Sequence, residues 1–146
     1  MRKQCKRIVR RALAPTIVAM HLNPEVSLQE RMAVKAFVGG WSASAHFNVL
    51  ADCRDMLILA ASEKNDTETL SVCSLAGVAL MNIKDRYFDK KKFGATGDEV
   101  RALELLVNVS EEFWKRQPGA LFVDAEAALG RARAMHAEEA CLKEAA

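Results

Sequence analysis

The chain has 146 residues, 51% of them apolar and 27% charged, with four cysteines and a formal net charge of +2. This length suits a single domain that buries about two-thirds of its unfolded surface without metals or disulfides, and the composition excludes a disordered or membrane-embedded chain. The charge is uneven: six of the 21 basic residues fall in the first eleven positions and no acidic residue precedes Glu25, leaving 15 basic against 19 acidic residues in the remainder.

Residues 1–14 form a basic amphipathic arm. Cys5, Ile8, Val9, Ala12 and Leu13 share one helical face, while Lys3, Lys6, Arg7, Arg10 and Arg11 occupy the rest. The arm can either dock its apolar face on the acidic body or lay its cations on phosphates, each contact adding a salt-sensitive increment. Pro15 biases Ala14 away from the α region and ends the arm. Residues 15–146 read as one helical domain.

Thr16 to Leu22 fits a short helical turn bounded by Asn23-Pro24. Ser27 and Glu30 have the spacing of a capping box, which starts a helix running to Val38 and stopping at Gly39-Gly40. Trp41, just past the glycines, is either a lid on the core or an exposed aromatic anchor for a partner. A second helix starts near Ser42 or Ser44 and continues to Ser62, turning Phe47, Leu50, Cys53, Leu57 and Ala60 inward.

The longest apolar stretch, Leu70 to Met81, lies within a helical pattern from Thr67 to Phe88. At about a dozen residues it is short of the roughly 20 needed to span a bilayer. Because it is apolar all round, it is expected to be a central helix with its whole surface buried. Gly77 within it is expected to permit close packing. Lys90, Lys91 and Lys92 place cations at the helix's negative end, with Gly94 as the stop. Arg86, Tyr87 and the three lysines interleave aromatics with cations, as single-strand stacking platforms do; alternatively Tyr87 and Phe88 finish the core.

Thr96 and Glu99 make a second capping box, followed by inward spacing at Val100, Leu103, Leu106, Val107, Phe113 and Trp114. Pro118-Gly119 breaks that helix. A closing alanine-rich helix, Val123 to Leu142, carries an inward row of Ala125, Ala128, Ala132 and Met135. The fold class is therefore all-α, a single-domain array or bundle of five to six helices around a buried central helix.

No catalytic constellation stands out. His21, His46 and His136 are isolated, so neither a metal site nor a cofactor is expected. Cys5, Cys53, Cys73 and Cys141 are widely spaced and read as free thiols in a reducing, cytoplasmic compartment, with no apolar signal segment behind the basic start.

A basic start running into Ala14-Pro15, then Ala36-Phe37-Val38-Gly39-Gly40-Trp41, Asn48-Val49-Leu50, a helix opening at Thr96 to Glu99 and a closing Glu126-Ala127-Ala128-Leu129 resembles small uncharacterised phage and prophage proteins of proteobacteria. The resemblance covers most of the chain. It implies a bacterial cytosol and an accessory product that acts by binding, often as an inhibitor of a host process or defence system; it transfers no site residue.

The expectation is thus a noncatalytic protein, with no membrane association, that binds a host protein or nucleoprotein complex. Its candidate contacts are Arg7, Arg10, Arg11, Trp41, Arg86, Tyr87, Lys90, Lys91 and Lys92. The competing reading is nucleic-acid binding through the arm. A homodimer is a side expectation, because the alanine-rich final helix leaves apolar surface to cover.

Overall fold

A computed structural model describes residues 17–144, all in helices and short connections. Arg7, Arg10, Arg11 and the rest of the arm lie outside the described residues. Five helices follow in order: α1 Ile17–Gly39, α2 Ser44–Lys64, α3 Thr67–Lys90, α4 Gly97–Lys115 and α5 Gly119–Glu144. The all-α bundle expected from the hydrophobic periodicity is what the chain forms.

Local chemistry sets most of the boundaries. At the end of α1 the Gly40 amide donates to the Phe37 carbonyl (3.3 Å) and the Trp41 amide to that of Ala36 (3.1 Å), with Gly40 at φ +74. This pair of bonds is a Schellman stop, which favours glycine at its left-handed position. The same pattern closes α2, where Asn65 takes the left-handed position at φ 55. Asp66 then caps α3 by accepting from the Thr69 amide at 3.1 Å. The Thr96–Glu99 capping box opens α4 as expected: Thr96 Oγ1 accepts from the Glu99 amide (3.3 Å) and Glu99 Oε2 from the Thr96 amide (2.7 Å).

Other boundaries differ from expectation. α1 does not start at Ser27 but runs unbroken from Ile17 through Pro24. With the chain already helical, Ser27 has no orphan donors to cap; it lies near Glu111 on α4 and helps to hold that carboxyl below its ordinary value, after Arg31. The stop after α3 is Lys91 at φ 53, whose amide donates to the Tyr87 carbonyl at 2.7 Å, rather than Gly94.

α1, α2, α3 and α4 pack in a ring of successive neighbours, and α5 lies against α2 and α1. Short connections make these neighbours antiparallel. One core cluster, with Val34, Phe37, Leu50, Leu80, Ile83 and Leu103, fills the end where the α1–α2 and α3–α4 connections meet. The other, with Leu57, Cys73, Ala76, Leu106, Phe113 and Trp114, is closed by Leu121 and Ala125 of α5.

The central helix is α2, which packs on all four others. α3, expected to be buried on every side, is a perimeter helix between α2 and α4. Its inner side, Cys73, Ala76, Ala79, Leu80 and Ile83, is buried, but Leu75, Val78 and Met81 are 53%, 60% and 64% exposed. An all-apolar window signals a central helix only when neighbours flank it on every side, and nothing among the described residues covers this one. The row expected on α5 is also shorter. Ala125 is buried and Ala128 half-buried, while Ala132 and Met135 are exposed, because the helix continues past the body it packs on.

Candidate functional site

The two connections at one end of the bundle bring several sequence-distant candidates together. Ser42 Oγ donates to the Phe93 carbonyl at 3.3 Å. Phe93 in turn stacks on Tyr87, with centroids 4.2 Å apart and planes 13° from parallel, and lies 5.7 Å from Phe47. Tyr87 is therefore half-buried, held in an aromatic stack. Trp41 is 54% exposed, so it does not close over the core as a lid. Its indole is held edge-on against His46 at 5.1 Å and lies over Gly39, where a Cβ would meet Nε1 at 2.5 Å. Lys90, Lys91 and Lys92 are all exposed, with Lys91 Nζ 5.7 Å from the Phe88 ring centre.

Arg86 does not belong with those free cations. Its Nη2 and Nη1 donate to Glu99 Oε1 (2.7 Å) and Oε2 (3.1 Å), and Nη1 also donates to the Gly94 carbonyl. Burial alone would raise the Glu99 carboxyl, but the Arg86 guanidinium and the Thr96 amide over-compensate and hold it below its ordinary value. A planar fork that clamps a carboxylate and a connecting carbonyl is a structural tie between α3, α4 and the segment joining them. Arg86 is thus occupied in holding the fold together, with its guanidinium engaged by Glu99 and Gly94.

The open face of α3 leads into this end. Leu75, Val78 and Met81 step along the helix toward Phe88, which is 57% exposed, and then to the three lysines. Beside this face, Arg54 of α2 lays its guanidinium over Gly77, its Nε donating to the Cys73 carbonyl at 3.1 Å. A Cβ on Gly77 would lie 2.7 Å from that Nε. The glycine makes room for a cation, where a closely packed backbone was expected.

A third feature was not anticipated. Glu30, expected to complete a cap, points inward from α1 and is 5% exposed. Its position in the series Glu30, Ala33, Val34, Phe37 is the signal that could have placed it, since those spacings put it on the apolar face. Burial raises its carboxyl to about 7 and Glu111 adds to the rise, against the opposing pull of the nearby Cys53 thiol and Arg31. Burial and the Glu30 charge push the Cys53 thiol well above its ordinary value, so it stays protonated. Ser110 on α4 is 1% exposed; its hydroxyl is close enough to Cys53 to favour the thiolate, yet it makes no hydrogen bond of normal geometry among the described residues. Glu30 and Cys53 border a small cavity of about 100 Å³ that is also lined by Trp114, Phe122, Met56, Val49 and Asp52.

Asp52 and Asp55, which share a helical face, do not act together: Asp52 pairs with Arg133 of α5 and Asp55 with Arg54 (2.8 Å). Cys53, Cys73 and Cys141 are free thiols, the first two buried. Among the described residues no group of three or more His, Cys, Asp or Glu side chains is placed to hold a metal, and no helix is long and apolar enough to cross a membrane. No protein-family model matches the chain, and no curated protein or solved structure matches it.

Proposed function

We propose that the chain is a noncatalytic accessory protein of phage type, acting in the bacterial cytosol, that binds and inhibits a host protein or nucleoprotein complex such as a defence system. The observation that carries this reading is the outward row of Leu75, Val78 and Met81 on α3. Contiguous exposed apolar surface on a folded body is characteristic of partner-binding sites. At one end the row meets Phe88, Lys90, Lys91 and Lys92, and Trp41 stands at the same end of the bundle. An apolar centre with an aromatic anchor and a charged rim is the usual anatomy of a protein interface. Tagged protein expressed in a bacterial host should co-purify with a partner in stoichiometric amount; reproducible recovery of the chain alone counts against the reading.

A nucleic-acid reading draws support from Trp41 and the three lysines sharing one end, with the basic arm as a further source of phosphate contacts. It requires affinity for DNA or RNA that falls steeply with salt, and falls again when Arg7, Arg10 and Arg11 are neutralised. A homodimer through the exposed distal half of α5 is compatible with either.

A further inference from the structure

We infer that the cavity between α1, α2, α4 and α5 is a binding site for a small organic cation, an alkylammonium or guanidinium group, with Glu30 as its counter-ion. The cavity, about 100 Å³, is large enough for such a headgroup and too small for a drug-sized ligand. Its walls are of the kind that favour cations: the rings of Trp114 and Phe122, edge to face with centroids 5.0 Å apart, and the Met56 thioether. Its polar groups are acceptors for a cation, namely the carboxyls of Glu30 and Asp52 and the Gln29 amide.

Among the described residues no Lys or Arg lines the cavity, and Arg31, whose charge favours the Glu30 carboxylate, and Arg133 are each paired with another carboxylate. Arg31 of α1 pairs with Glu111 of α4, and Arg133 of α5 with Oδ1 of Asp52. Cys53 of α2 gives Glu30 only a thiol, and Glu111 of α4 adds a like charge. A buried carboxyl that forms no salt bridge among the described residues lowers the stability of a fold, and positions that break the packing rules in this way concentrate at functional sites. A ligand cation would restore the missing partner. It could come from a free amine or from a lysine or arginine side chain of a partner protein.

Calorimetric titration of the whole protein with n-butylammonium, 1-butanol and N-acetyl-lysine methylamide tests this. Butylammonium should bind saturably near pH 8 and at least about tenfold more weakly near pH 5.5, where Glu30 is protonated. Glu30→Gln should lose at least about tenfold at the higher pH with its helical circular dichroism intact, and Asp52→Asn should weaken binding in the same direction. Tighter binding of the lysine amide than of butylammonium points to a side chain as the ligand, and the reverse order to a free amine. The inference is overturned if butanol binds as well as butylammonium, if Glu30→Gln binds unchanged, or if neither cation binds. These outcomes are independent of whether α3 has a protein partner.

Discussion

Replacing Glu30 by Gln isolates what a buried carboxyl does to this fold. The side chain is raised from 4.5 to about 7 in the native state, chiefly by burial. A carboxyl whose folded pKa is raised binds more protons in the native than in the unfolded state, so stability falls as pH rises between the two values and levels off above the upper one. The shift corresponds to about 3 kcal/mol, at 1.36 kcal/mol per pH unit. The wild type should therefore lose about that much between pH 4.5 and 7, and the glutamine variant should not. Near pH 8 the variant should be more stable by roughly 2 kcal/mol, after about 1 kcal/mol is allowed for polar contacts of the carboxyl that the amide does not reproduce. That corresponds to a Tm about 5 °C higher. Glu99, Glu111 and Asp66 have lowered pKa values, so their stabilisation is present above their unfolded values and lost as pH falls through the folded ones, below the Glu30 window. Urea titrations followed by circular dichroism across this range supply the test. Parallel pH profiles for wild type and variant would refute the reasoning.

Three further expectations concern the frame. Arg86→Ala should cost about 2 kcal/mol by leaving Glu99 under-paired, and Arg86→Lys should not restore it, because an ammonium cannot make the two-pronged contact with the carboxylate and reach Gly94 as well; denaturation midpoints decide this. Gly77→Ala should destabilise the wild type by displacing Arg54, yet stabilise an Arg54→Ala background by up to about 1 kcal/mol through helix propensity, a sign reversal that a double-mutant cycle would expose. Light scattering should give a dimer mass that reverts to monomer on truncation after Gly130, from which point α5 is exposed; a monomer in both forms removes the dimer.

Helix existence was legible wherever a local signal acted alone. The Thr96–Glu99 box, the Gly39-Gly40 stop and the Pro118-Gly119 break lie where their backbone chemistry puts them. The signals failed where a distant group competed. Ser27 and Glu30 have the spacing of a cap, but the serine lies within a continuous helix and the core takes the glutamate. Arg86 lies among lysines in sequence and faces Glu99 in space. The Leu70 to Met81 window is apolar on every side, and only the arrangement of its neighbours tells which side is covered. For the same reason the exposed row of Leu75, Val78 and Met81 was hidden inside the segment expected to be core. Among the proposed contacts, Trp41 and Lys90 to Lys92 were identifiable as exposed types flanking helix ends, whereas nothing local marked Val78 as a surface residue.

The most direct measurement sets Val78→Asp beside the wild type, in unfolding and in partner recovery from the same bacterial host. A charge at the 60% exposed Val78 should change stability by no more than about 0.5 kcal/mol while abolishing co-purification of the partner. Unfolding of the variant would mean that the face is core after all, and undiminished recovery of the partner by a folded variant would contradict the assignment of α3 as the binding surface.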